Sequence, residues 1–88
     1  MDSNLTALTT ADSLIQKTPG VVGGEARIRN TRIPVWSLVQ LKKFGAGDTE
    51  IKIAFEEHLS DDDLSASWEY YKNHKREIDE AIEYNEAD

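Results

Sequence analysis

Along the C-terminal two thirds of the chain, apolar side chains recur at the three- to four-residue spacing of amphipathic helices. This spacing predicts a first helix over residues 34–44, after which Gly45 is placed to end it in the left-handed conformation. A second helix is predicted from an N-cap at Asp48 or Thr49 to about residue 57. The side chains of this helix that are expected to face the core are Ile51, Ala54 and Phe55.

A third helix is predicted to begin at a capping box formed by Ser60 and Asp63. No glycine or proline interrupts residues 48–88, so the helical pattern can continue to about residue 84. The pattern is compatible with one long helix or with a helix that bends near Asn73 and His74.

An apolar stripe follows this third helix and its extension, and it is longer than helices of this size can bury internally. The stripe is therefore expected to contact a second copy of the chain or a partner protein. Because a small core gains stability from association, we expect a homodimer when no partner is present. The interface residues predicted on this basis are Trp68, Tyr71, Ile78 and Ile82.

The first third of the chain predicts a flexible leader and then a short β-hairpin. Residues 1–12 are polar and threonine-rich, as in a loosely held terminus. Residues 14–16 and 26–29 can pair as strands across the loop TPGVVGGE, whose Pro-Gly and Gly-Gly pairs favour turns. In the second strand Arg27 and Arg29 alternate with Ile28, so both guanidinium groups are expected on one exposed face. The following RNTR segment indicates a tight corner.

With 39% hydrophobic and 31% charged residues, the chain of 88 residues is expected to form one globular domain. We place this domain at residues 13–88, with a hairpin at 13–33, a three-helix core at 34–73 and an acidic C-terminal helix at 74–88. The expected fold is mainly α, a three-to-four-helix, homeodomain-like helix-turn-helix bundle with an N-terminal β-hairpin. The sequence has no cysteine, no apolar run long enough for a membrane span and no secretory signal pattern, which indicates a cytoplasmic protein.

Charge is divided unevenly in this chain, whose net charge is -7. Residues 16–45 hold six basic side chains and one acidic side chain, whereas residues 46–88 hold four basic and fourteen acidic ones. One interpretation is that the basic segment contacts nucleic acid through Arg27, Arg29, Arg32, Lys42 and Lys43. The alternative is that the basic segment pairs with the acidic one, within the monomer or across a dimer.

The sequence carries no pattern typical of catalysis or metal binding. His58 and His74 are its two histidines, and they do not share a metal-binding frame. The glycines match no phosphate-binding loop, and no serine or threonine is placed beside a histidine as a nucleophile would be. We therefore expect a non-enzyme that uses no cofactor and no metal.

The segment GGEARIRNTRIPV and the helices after it resemble the bacterial family 433 of domains of unknown function, over residues 15–71. Asn30 stands where that family usually has glycine, and His58 where proline is common. The resemblance implies a homeodomain-like three-helical fold and an antitoxin-like role beside a co-encoded PIN-like nuclease, the toxin. The residues that match the family signature are Gly24, Thr31, Arg32, Ile33, Pro34 and Val35.

Two functions remain open. The first is an antitoxin-like interaction subunit that silences the nuclease, with the acidic C-terminal third covering a basic RNA-binding surface. The second is a homodimeric helix-turn-helix regulator that binds operator DNA. In such regulators the first turn of the motif's second helix meets the base edges, and here residues 61–63 place three aspartates in that turn. Any DNA contact would therefore depend on the basic segment.

Overall fold

A short antiparallel hairpin is followed by four α-helices in the computed structural model, which describes residues 14–56 and 58–86. Strand β1 (Ile15–Gln16) pairs with β2 (Arg27–Ile28), and Ile15 lies opposite Ile28. The mainly helical fold with an N-terminal hairpin is thus confirmed, while the predicted leader lies outside the described residues. The helices are α1 (Val35–Lys43), α2 (Asp48–Ala54), α3 (Asp61–Asn73) and α4 (Lys75–Glu86).

The tight corner predicted after β2 is present and is held by its own polar groups. Asn30 adopts a positive φ of 59°, which asparagine tolerates better than most residues. The Thr31 hydroxyl donates to the carbonyl of Ile28 at 2.8 Å and accepts from the amide of Ile33 at 3.0 Å. The chain then runs back beside β2, where the amide of Val35 donates to the carbonyl of Ala26. The corner therefore sets the direction of the chain so that α1 lies in the core from its first residue onwards.

The helix ends largely follow the local signals in the sequence. Gly45 follows α1 with a φ of 103°, as predicted for the residue that ends this helix. Ser60 and Asp63 form the predicted reciprocal capping box. The predicted start of α2 is one or two residues late, because Gly47 is its N-cap and donates its amide to the Glu50 carboxylate at 2.8 Å. The helix ends at Ala54, short of the predicted end.

A break at His74 separates α3 from α4, so the bent alternative describes this chain. His74 leaves the helical region with φ -137° and ψ 43°. Its ring stacks on Tyr70, with 4.0 Å between the ring centroids, and its Nδ1 lies 3.1 Å from the Tyr70 carbonyl oxygen. The break allows α4 to fold back and pack on α1.

The core takes side chains from the hairpin and from every described helix, and its fully buried large members include Ile28, Leu38, Ile51 and Leu64. The prediction that Ile78 and Ile82 form an exposed interface is wrong: they are 2% and 8% exposed, because α4 closes over α1.

The other two residues of the predicted stripe, Trp68 and Tyr71, are half-buried against the same core. These four residues therefore do not form the exposed apolar surface from which a homodimer was expected, and the homodimer stays a prediction. The inward position predicted for Ala54 is also wrong, because this residue is exposed. Ile51 is buried as predicted, and Phe55 packs half-buried against the core.

We predict that Ile78→Ala lowers the free energy of unfolding by about 2–4 kcal/mol, because it leaves a cavity under α4. Ile53→Ala removes the same atoms from a side chain that is 77% exposed and should change that free energy by less than about 0.5 kcal/mol. Urea denaturation of the two variants measures the difference. Equal effects would show that α4 is not part of the folded core.

Candidate functional site

Arg27 is not an exposed contact residue, and its prediction as one is wrong. The residue is 8% exposed, and its guanidinium donates to the carbonyls of Thr31 at 3.2 Å and Ile28 at 3.4 Å. It also donates to the Thr18 hydroxyl at 3.0 Å. Because β2 ends at Ile28, the alternation that was expected to align Arg27 with Arg29 stops at the corner. Arg27 instead braces the corner from inside.

The two other arginines of the basic segment remain at the surface. Arg29 and Arg32 are exposed on either side of the Asn30 corner. Neither forms an ion pair within residues 14–56 and 58–86. A pairing of Arg32 with an acid of α3 is therefore not seen in the part of the chain that the structure describes. Of the three arginines predicted to contact nucleic acid, these two are therefore the exposed ones.

The lysines of α1 are engaged with acidic and aromatic side chains of the same molecule. Lys42 Nζ lies 3.6 Å from the Asp48 carboxylate and 4.7 Å from the centroid of the Trp68 ring. Lys43 Nζ lies 3.0 Å from Asp79 Oδ1 and 5.4 Å from the centroid of the Tyr71 ring. The structure therefore does not gather the five predicted nucleic-acid residues into one exposed patch.

The basic segment also pairs with α4 through Lys17, just after β1. Lys17 Nζ lies 3.0 Å from Glu77 Oε2, and the Tyr70 hydroxyl donates to the same carboxylate at 2.9 Å. The hydrogen bond that Lys17 donates to Glu77 raises the pKa of Lys17, and burial raises the pKa of Tyr70. Together with the Lys43–Asp79 pair, this contact supports the alternative in which basic and acidic segments meet within one molecule.

The outer face of α4 keeps an excess of acidic side chains after this internal pairing. Glu80 and Glu83 are exposed one turn apart, beside Tyr84, which is 79% exposed. Among the described residues, Glu80 pairs with Arg76, an exposed neighbour on the same helix, at 3.3 Å. Glu83 forms no ion pair among the described residues. We call Glu80, Glu83 and Tyr84 the α4 outer face.

Most signature residues of the resembled family build the corner rather than a binding surface. Gly24 adopts a φ of 82° in the hairpin loop, and Thr31 holds the corner by its hydroxyl. Ile33 and Val35 are buried, and Pro34 is the N-cap of α1. Among the signature residues Arg32 alone is exposed by more than a third of its surface. The signature is therefore mainly a folding motif.

A cleft between α1 and α2 was not predicted from the sequence. It has a volume of about 370 Å³ and is open to solvent, and its lining includes the buried Ile51 and the half-buried Leu41. Phe44 and Ala54 also line it, and Glu50 is the charged residue among those that line it. The signal available in the sequence was the apolar residue directly before Gly45, where the chain turns away from the core.

The described residues include no cluster of metal ligands and no membrane-spanning helix. Among residues 14–56 and 58–86 there is no group of three or more histidine, aspartate or glutamate side chains able to hold a metal ion. No helix in this part of the chain combines the length and the apolar character needed to cross a bilayer.

We predict that Arg27→Ala lowers the free energy of unfolding by about 1–3 kcal/mol, because it removes a charged donor from buried carbonyl groups of the corner. Arg29→Ala and Arg32→Ala, at exposed positions, should each change that free energy by less than about 0.5 kcal/mol. Thermal and urea unfolding distinguish these outcomes. If Arg27→Ala were as stable as the other two variants, the bracing role assigned to this residue would be wrong.

The Lys43–Asp79 pair should give the stability a measurable pH dependence. Hydrogen bonds from Lys43 and from the Tyr71 hydroxyl lower the pKa of Asp79, so this carboxylate stabilises the fold above its ordinary pKa of 3.8 and less as the pH falls through its lowered value. The hydrogen bond that Lys43 donates to Asp79 raises the pKa of Lys43. The stabilisation of the fold by the charged Lys43 is therefore lost only above the ordinary lysine pKa of 10.5.

We therefore predict that Asp79→Asn lowers stability at pH 7 by ~0.2–1 kcal/mol, as for other exposed pairs, and that this difference shrinks below pH ~4. Glu83→Gln, which removes one charge from the same helix outside this pair, should show a smaller difference. Urea denaturation at several pH values measures both. A deficit in Asp79→Asn that is the same at acid and neutral pH would contradict the pairing.

The comparisons with known proteins agree with the expected family. The model of the family described as proteins of unknown function, DUF433, matches residues 15–71. A crystal structure of a DUF433 member protein from Anabaena variabilis is similar to this chain, with 47% sequence identity and a TM-score of 0.76. That similarity covers 92% of this chain and 79% of the other. A search of curated proteins found no match. The chain belongs to the DUF433 family.

Proposed function

We propose that this protein is an antitoxin-like interaction subunit of the cytoplasm that binds and neutralises a co-encoded PIN-like nuclease. One observation carries the proposal: the acidic excess survives internal pairing. Lys17 and Lys43 are held by acids of α4, and Arg27 is buried, while the α4 outer face keeps exposed carboxylates. A nuclease that binds RNA offers the basic surface that such a face complements.

The α4 outer face has the composition of a protein contact. Glu80 and Glu83 supply negative charge that steers a basic partner, and Tyr84 supplies an exposed aromatic ring. Tyrosine is enriched in protein interfaces because it buries a large apolar area while its hydroxyl keeps a hydrogen bond. The face can therefore contribute both attraction at a distance and contact area.

The inhibitory element is the folded domain rather than a free C-terminal helix. Ile78 and Ile82 hold α4 against α1, so this helix has no apolar face left for insertion into a groove of the partner. A deletion from residue 74 onwards would remove core side chains and unfold the protein. Substitutions on the exposed side of α4 test the contact without that complication.

A homodimeric regulator that binds operator DNA is the alternative, and the exposure of Arg29 and Arg32 favours it. The rest of the described surface does not favour DNA binding. The first turn of α3 carries three aspartates, and the lysines of α1 lie beside internal acids. With so few cationic side chains available for phosphate, DNA binding by the protein alone would be weak and steeply dependent on salt.

Co-expression with the neighbouring nuclease gene tests the proposal. We predict that the wild-type chain rescues growth and co-purifies with the nuclease, and that Glu80→Lys combined with Glu83→Lys weakens the complex by about tenfold or more. Both positions are exposed, so the double variant should remain folded. Glu69→Lys, at an exposed position in α3, is the control for charge reversal and should leave the affinity nearly unchanged.

Three results would change this proposal in different ways. Failure of the folded wild-type chain to bind the nuclease would reject the antitoxin-like role. Tight binding by the Glu80 and Glu83 double variant would keep that role but move the contact away from the α4 outer face. Retardation of operator DNA at physiological salt that is lost in an Arg29→Ala, Arg32→Ala variant would support the regulator instead.

A further inference from the structure

The cleft between α1 and α2 is an apolar feature that the proposed function does not use. It is lined by Leu41 and Ile51 and by the loop residues Gly45 and Ala46. A volume of about 370 Å³ is enough for one or two apolar side chains. Because the cleft is open to solvent, it fits a side chain presented by another protein better than an enclosed small molecule.

One large apolar side chain that lines this cleft stands exposed. Phe44 is 73% exposed, whereas Ile53, which is 77% exposed on α2, does not line the cleft. Phe44 is the C-cap of α1, and Gly45 follows it in the left-handed conformation. A single exposed apolar residue needs no explanation, whereas an apolar depression with an exposed aromatic side chain in its lining is typical of a binding surface.

The charge around the cleft selects the kind of partner. Glu50 lines it, and the amide of Gly47 holds one oxygen of that carboxylate at 2.8 Å. Each lysine of the two flanking helices lies beside another acid, with Lys42 beside Asp48, Lys43 beside Asp79 and Lys52 beside Asp61. The local field is therefore negative. A second copy of this chain, with the same carboxylate and a net charge of -7, is a poor match for it.

We propose that this cleft binds an amphipathic, basic segment of a partner protein. An apolar side chain of the segment enters between Phe44 and Ala54, and a neighbouring lysine or arginine meets the Glu50 carboxylate. A helix with apolar anchors three or four residues apart has the geometry for this contact. The cleft shares no residue with the α4 outer face, so the inference does not depend on the nuclease.

Titration of the isotopically labelled protein with a short amphipathic peptide of leucine and lysine tests the inference. The amide signals of Gly45, Ala46 and Ala54 should shift and saturate. The same peptide with glutamate in place of lysine should bind at least about tenfold more weakly, because it meets like charge. Phe44→Ala should weaken binding of the lysine peptide by about tenfold, as for a central aromatic anchor. Glu50→Gln, which keeps an acceptor for Gly47, should reduce the preference for lysine over glutamate.

Ile53→Ala is the matched control, because it removes an exposed apolar side chain of α2 that does not line the cleft and should leave peptide binding unchanged. Shifts confined to the acids of α4 and α3 would reduce the result to general charge attraction and overturn the inference. Equal binding of both peptides, or no shift at the cleft, would overturn it as well. Concentration-dependent shifts of the same amides without peptide would show that a second copy occupies the cleft, against the proposal.

Discussion

Helix α4 folds back across α1 and completes the core with Ile78 and Ile82. A chain of 88 residues can bury only a small apolar core. A helix that covers α1 therefore has a large effect on the stability of the whole fold. The closure also fixes the polar surface. It brings Asp79 beside Lys43 and Glu77 beside Lys17, which ties the acidic end of the chain to its basic middle.

This closure decides which charges remain available to a partner. The basic segment looks like a nucleic-acid surface in the sequence, yet its lysines lie beside carboxylates, and Arg27 braces the corner before α1. Individually these exposed pairs stabilise the fold weakly. Their larger effect is on the charge of the surface, because each pair neutralises one basic side chain. Since the acidic side chains are more numerous, an excess of negative charge is left. A basic protein surface is the natural complement of what is left.

Local signals predicted most of the elements, apart from the bounds of α2 and the exposure of Ala54, and the larger failures concern contacts between distant residues. The Asn30 corner, the Gly45 stop and the Ser60 capping box depend on a few neighbouring residues, so spacing alone was sufficient. The burial of Ile82 depends on the direction of α4 after His74, which no periodicity encodes. The burial of Arg27 likewise depends on where β2 ends. The α1–α2 cleft arises from the angle between two helices and could not be predicted from either one.

The proposed antitoxin-like role requires that the exposed carboxylates of α4 bind a basic surface of the nuclease. This requirement is tested by measuring the dissociation constant of the complex as a function of salt concentration. Added salt shortens the Debye length from about 10 Å at 0.1 M to about 3 Å at 1 M and so screens exposed charges. The affinity should therefore fall about tenfold or more over that range, mainly through slower association. An affinity that does not change with salt would show that attraction between exposed charges does not hold the complex together.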